Sequence, residues 1–211
     1  MTEEAGRKTV IHREDRESFM KRLRLKITPT DLERLDYAYE MAKYGHRNQI
    51  RDSGERYFEH LRATAIILID EIGVSDVEMI MAALLHDMLE DSFLLTTGRI
   101  KLTFGERVAT LVAAVSKPRR TDPRFKTKQE RHGFYFAQLK DSCVEAKIIK
   151  LADRLQNTRT LDACSAEKQD RKTRETITVY LPLIQDVILE YPDKGEYFKN
   201  QFDALLAKTS E

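Results

Sequence analysis

Met79-Ile-Met-Ala-Ala-Leu-Leu-His-Asp-Met-Leu-Glu-Asp91 is the stretch on which the reading of the fold turns. Seven consecutive apolar residues, Met79 to Leu85, lead into His86-Asp87, and Glu90-Asp91 follow after two more apolar residues. A helix that is apolar on nearly every side is a buried helix. An imidazole and three carboxylates at its end are costly to bury unless they pair or ligate a metal. At ~100° per residue the four fall within an arc of roughly 140°, with Glu90 and Asp91 each one turn beyond a partner. The pattern is that of a buried metal site, although His-Asp dipeptides also occur as hydrogen-bonding pairs at helix ends. Further ligands must come from elsewhere in the chain.

With 211 residues, the chain can bury a proper core as one large domain or two small ones. Charged residues at 34% and hydrophobic ones at 41% suit a soluble globular protein. A formal net charge of +1 argues against a chain whose main business is coating nucleic acid or anionic membrane. No apolar run approaches the ~20 residues of a membrane span, and Met1-Thr-Glu-Glu-Ala-Gly-Arg-Lys lacks the apolar core of a signal peptide. Cys143 and Cys164 form neither a Cys-x-x-Cys pair nor a disulfide framework. The expected setting is the cytoplasm.

Helical spacing is everywhere and strand-like alternation is hard to find, which predicts an all-α protein. Residues 1–15 are polar and read as a loose tail, and residues 16–211 read as one domain without a linker or repeat. Pro29 ends a short amphipathic segment, and Thr30-Asp-Leu-Glu33 has the form of a capping box opening a helix to about Gly45. A polar, basic stretch from His46 to Glu55 precedes a helix striped with Tyr57, Leu61, Thr64, Leu68 and Ile72, and Gly73 ends it. Ser75-Asp-Val-Glu78 reads as a second capping box launching the central helix. Thr96–Phe104 reads as a loop or short helix, and Val108, Leu111, Val112 and Val115 as an amphipathic one.

Lys117 to Arg131 carries seven Lys or Arg against two acidic residues, and Pro118 and Pro123 predict an extended, mobile segment. A short helix around Phe134–Leu139 follows, then a longer one from Val144 to Leu161. The last third gives two helices parted at Tyr191-Pro192, with Pro182 kinking or restarting the first.

A divalent ion needs three or four protein ligands and an open position. Of the five histidines, His12 lies in the tail and His132 in the basic stretch. His60 faces the core from a helix edge and is the stronger candidate, while His46 reads as a polar contact in a loop. For the last carboxylate, Asp153 and Asn157 are one turn apart, yet Asp153 falls opposite the main stripe, and spacing alone reads that face as solvated.

Arg51-Asp-Ser-Gly-Glu-Arg-Tyr-Phe-Glu-His60, Ala83-Leu-Leu-His-Asp-Met-Leu-Glu-Asp91, Phe104-Gly105 and Lys150-Leu-Ala-Asp-Arg-Leu-Gln-Asn-Thr-Arg-Thr-Leu161 resemble the successive motifs of the HD-type hydrolase domain of the RelA/SpoT family. Arg174-Glu-Thr and Tyr180-Leu-Pro182 resemble its closing helix, so the likeness covers about residues 36–190, in order. With no room for that family's synthetase domain, the chain most resembles a stand-alone small alarmone hydrolase.

The resemblance implies a single Mn²⁺ held by His60, His86, Asp87 and Asp153, with Glu90 and Asp91 positioning or activating the attacking water. It implies a nucleotide pocket lined by Arg51, Ser53, Tyr57, Asn157 and Thr160. The implied reaction removes the 3′-pyrophosphate of ppGpp or pppGpp. Basic residues should then surround the mouth, and the 117–131 segment could supply them or could be a solvated loop. One departure concerns the substrate: Asp52 stands where the family usually has a basic residue. It keeps open an HD phosphohydrolase acting on ppApp, NADPH or a dNTP. A non-catalytic alarmone-binding module and a nucleic-acid binder using Lys117–Arg131 are the remaining alternatives.

Overall fold

The computed structural model describes residues 14–91 and 95–207, which form twelve α-helices and no strand. In chain order they are α1 (Arg16–Lys21), α2 (Pro29–Gly45), α3 (Tyr57–Ile66), α4 (Val77–Leu85), α5 (Met88–Asp91) and α6 (Thr97–Phe104). They continue with α7 (Glu106–Val115), α8 (Lys128–Lys140), α9 (Val144–Arg159), α10 (Ala166–Glu175), α11 (Leu181–Glu190) and α12 (Pro192–Ala207). Of the predicted tail, residues 1–13, including His12, lie outside the described residues; Asp15 caps α1 by accepting the Ser18 N–H.

The innermost elements are α4 and α9. Helix α4 packs against α2, α3, α7 and α9, and α9 also meets α3, α7, α8, α11 and α12. All seven apolar residues Met79–Leu85 are buried, as the run predicts. Each of its Met, Ile and Leu side chains contributes ~1.5–3 kcal/mol relative to exposure. One continuous core runs from Phe19 to Phe202. No described helix is long and apolar enough to cross a membrane.

Two predicted capping boxes are displaced. Helix α2 opens at Pro29 with Thr28 as its cap, accepting the Asp31 N–H. Proline lacks the N–H that would be orphaned at the first helical position, so Pro29 starts this helix as well as ending the segment before it. At α4 the cap is Asp76, not Ser75, and it accepts from the N–H groups of Glu78 and Met79. Gly105, at φ 98°, separates α6 from α7 with a backbone conformation that other residues rarely adopt.

Two corrections bear on the site. Helix α4 does not run on through His86-Asp87: the chain turns there, and α5 begins at Met88. Helix α8 begins at Lys128 rather than near Phe134, because Thr127 and Glu130 form a full capping box. The segment before it is a series of turns pinned at both ends. The Arg119 Nε donates to Leu89 O at 2.8 Å, the Arg131 Nη1 donates to Pro118 O at 3.2 Å, and Phe125 packs on Phe134.

Candidate metal centre

The turn at the end of α4 delivers His86 and Asp87, α3 delivers His60 one turn in, and α9 delivers Asp153. One ligand atom each from His60, His86 and Asp153 lies within 4.8 Å of the others, and all three residues are buried. Asp87 joins them through its Oδ2, 3.2 Å from the His86 Nε2. Spacing had placed Asp153 on a solvated face; it is only 5% exposed. The reason is that α9 is enclosed by neighbours on all sides, so every residue from Ala146 to Leu155 is buried and the helix has no solvent stripe there.

The chemistry of this cluster calls for a cation. Arginine can only donate, so the Gln156 atom that receives the Arg51 Nη1 at 3.1 Å is its oxygen. That same oxygen lies 2.5 Å from the His60 Nδ1, which must therefore carry the proton. Burial holds the His60 imidazole below its ordinary value, against the pull of Asp153. Its Nε2 thus presents a lone pair to the Asp153 Oδ1, 3.0 Å away. Two electron-rich atoms so close are reconciled by a positive charge between them.

His86 differs: it holds a proton in the place such a cation would take. Its Nδ1 donates to Ala83 O at 2.7 Å, while its buried Nε2 makes no hydrogen bond of acceptable geometry. Burial alone would lower its pKa, but the carboxylates of Asp87 and Asp153 carry it up to about 10. Both carboxyls are held well below the usual range: burial opposes this, and the His86 cation overcomes it at Asp87, the Lys150 and His86 cations at Asp153. Two imidazoles and two carboxylates around one point make a donor set that suits a first-row divalent ion. The residues present fit such an ion.

Around the cluster lies a cavity of about 320 Å³. Arg51, Tyr57, Asn157 and Thr160, all expected at a nucleotide pocket, line it. The Tyr57 hydroxyl donates to the Asp87 Oδ2 at 2.5 Å, and Tyr57 stacks on the buried His46. The Arg51 Nη2 donates to the Asn157 Oδ1 at 2.7 Å, and the Asn157 Nδ2 donates to the Asp153 Oδ1 at 2.6 Å. Ser53 is not brought in: it is exposed, outside the cavity lining, and its hydroxyl donates to Glu55. Glu90 lines the cavity, and burial raises its carboxyl pKa despite the opposing Lys117. Its Oε1 accepts the Lys117 backbone N–H at 2.6 Å. Asp91 ends α5, and its side chain lies outside the described residues.

Sequence reasoning missed several residues here. Lys150 is fully buried, with its Nζ 2.7 Å from the Asp153 Oδ2. Arg154 is buried over the Tyr180 ring, with its guanidinium carbon 3.9 Å from the ring centre. Gln156 ties His60 to Arg51. The one available signal was their place in Lys150-Leu-Ala-Asp-Arg-Leu-Gln-Asn157, since isolated polar residues carry no periodicity. At the cavity mouth Asp52 ion-pairs with Lys168 and accepts from the Cys164 thiol at 3.3 Å.

Residues 38–185 match the family model described as HD domain. The chain is 36% identical over 180 residues to a Synechocystis protein named a probable guanosine-3′,5′-bis(diphosphate) 3′-pyrophosphohydrolase, covering 78% of this chain and 22% of that protein. It is 39% identical over 155 residues to the bifunctional (p)ppGpp synthase/hydrolase SpoT of Escherichia coli K12, covering 72% of this chain and 21% of that one. The chain thus spans about a fifth of the length of these curated relatives. Among solved structures, a metazoan ortholog of SpoT, described as hydrolysing ppGpp with a role in starvation responses, superposes with a TM-score of 0.64 at 26% identity. That match covers 83% of this chain and 95% of the other.

Proposed function

The chain belongs to the HD-domain family, and from that membership we propose that it removes the 3′-pyrophosphate of guanosine alarmones, converting ppGpp to GDP and pppGpp to GTP. The observation that carries this is the meeting of His60, His86 and Asp153 beside a cavity that His60 and Asp153 line together with six Lys or Arg side chains. We assign the activity to residues 16–211.

His60, His86, Asp87 and Asp153 would hold the ion, which we take to be Mn²⁺. A divalent cation there would supply charge stabilisation to the phosphoryl oxygens and a water acidic enough to attack near neutral pH. Glu90, raised in pKa by burial, is suited to take the proton of that water, with Asp91 as its companion. Gln156 fixes the His60 tautomer, and Tyr57 fixes Asp87, so both present their free lone pairs inward. Lys150 holds the outer oxygen of Asp153 and leaves the inner one for the ion. Arg51, Tyr57, Asn157, Thr160 and, on its loop, Ser53 would bind the nucleotide, and Lys117 and Arg154 add positive charge around the scissile group.

Asp52 favours a second reading, in which the same chemistry acts on another nucleotide. Its carboxylate and Lys168 stand together at the mouth, where a base or sugar would enter. The test is incubation with ppGpp and Mn²⁺, with ppApp, dNTPs and NADPH in parallel and products separated by chromatography. Equimolar GDP and pyrophosphate from ppGpp are expected. Turnover of one of the others in its place would move the assignment to that nucleotide, and tight ppGpp binding without turnover would make the chain a binding module.

A further inference from the structure

Two lysines reach the metal-centred cavity from different elements, Lys117 just after α7 and Lys150 from α9. Each is paired with a carboxylate of the site: the Lys117 Nζ lies 3.6 Å from the Glu90 Oε1, and the Lys150 Nζ lies 2.7 Å from the Asp153 Oδ2. Behind both stands one aromatic side chain, Tyr135 of α8. Its ring centre is 5.1 Å from the Lys117 Nζ and 5.5 Å from the Lys150 Nζ. An ammonium group within ~6 Å of a ring face is attracted by the ring quadrupole, most strongly where water is excluded. Lys150 meets that condition, being only 2% exposed.

The ring is itself fixed. Tyr135 is fully buried, and its hydroxyl donates to Val115 O at 3.1 Å, two residues before Lys117. Burial pushes the phenol well above its ordinary value, so it stays neutral and keeps the proton that this bond requires. Tyr135 does not line the metal-centred cavity, so it acts on the site through the two lysines.

We propose that Tyr135 is a positioning residue for the hydrolysis proposed above, on which this role rests: its ring holds Lys117 at Glu90 and Lys150 at Asp153. One side chain then sets both the carboxylate suited to take the water's proton and a carboxylate of the ligand set. An aliphatic residue of similar bulk would fill the space but would give neither ammonium group a partner. Without the ring, each lysine is held by its carboxylate alone and can turn toward the other anions of the cavity.

The test drains the ring's negative face while nearly keeping its shape. In the full chain, Tyr135→Phe serves as the reference, followed by site-specific replacement with phenylalanines carrying one, two and three ring fluorines. Urea midpoints are measured in the presence of a chelator, Mn²⁺ affinity by calorimetry, and kcat and KM with ppGpp. Midpoint, Mn²⁺ affinity and kcat should all fall in order of fluorine number, with Mn²⁺ affinity at least ~10-fold weaker for three fluorines than for none. KM should stay level, because the ring lines no part of the cavity. The dependence of the midpoint on fluorine number should be shallower in Lys117→Met and in Lys150→Met backgrounds. A flat series would overturn the role, as would a slope unchanged in both lysine variants. Midpoints that fall while Mn²⁺ affinity and kcat stay constant would reduce Tyr135 to a packing residue and overturn it too. An ordered fall in midpoint and Mn²⁺ affinity, in a chain that leaves ppGpp intact, would refute the hydrolysis and leave the ring's hold on the two lysines standing.

Discussion

Gln156 holds His60 in place: its side-chain oxygen lies 2.5 Å from the His60 Nδ1 and 3.1 Å from the Arg51 Nη1. The contact fixes which imidazole nitrogen carries the proton, and so which one faces the cluster. Replacing Gln156 by Leu should lower metal affinity by about 10–100-fold, as removal of an outer hydrogen-bond partner commonly does. Helical content should stay the same. Metal titration of the variant, with circular dichroism alongside, checks this; unaltered affinity would show that Gln156 does not orient the ligand.

The buried pair of Lys150 and Asp153 makes a prediction about stability. Lys150 is fully enclosed, and burial disfavours its charge, yet Asp153 holds its pKa well above the ordinary value. Lys150→Met removes the largest of the favourable charges on this buried carboxylate and leaves it the His86 cation and the Asn157 amide. The metal-free protein should lose about 3–5 kcal/mol. Urea denaturation in the presence of a chelator reads the loss directly. A change below ~1 kcal/mol would mean that Lys150 is not needed to balance Asp153.

Glu175 gives the pH dependence its sign. Burial alone would raise its carboxyl, but Arg154 and Lys172 bring it from 4.5 down to about 2. A depressed carboxylate adds stability above its unfolded value, and that stability fades as pH falls from about 4.5 toward 2. Glu175→Gln should therefore cost on the order of 2 kcal/mol at neutral pH and progressively less in acid. Urea midpoints of wild type and variant at pH 7 and pH 3 should converge at the lower value. A gap independent of pH would assign the effect to packing.

Replacing Glu90 and Asp91 together by Gln and Asn tests the handling of the water. The metal should stay bound while kcat falls at least ~10²-fold. Near-normal turnover by a metal-loaded double variant would remove both residues from that role.

What could be read from the sequence follows from where periodicity carries information. The run Met79–Leu85 was legible because seven apolar residues in a row have no other place to go than the interior. His60 was legible as a helix-edge residue beside an apolar stripe, and it is buried. Asp153 was not legible from spacing, because α9 is surrounded and its polar residues are buried along with its apolar ones. The start of α8 was hidden for the opposite reason: Lys128, Gln129, Glu130 and Arg131 have no apolar member, so only the Thr127–Glu130 capping pair marked it. Ser53 belongs to a motif whose other members reach the cavity, but its own side chain stays with Glu55 on the outer side of the loop. The break at His86-Asp87 left no mark in the residue types at all.

The central claim is that residues distant in the chain converge to hold a single divalent ion. Its most direct test is calorimetric titration of the metal-stripped protein with Mn²⁺, comparing wild type with His86→Ala and with Asp153→Asn. The prediction is one strong site per chain in the wild type and no measurable site in either variant. A His86→Ala protein that binds Mn²⁺ with the wild-type stoichiometry and affinity would contradict it.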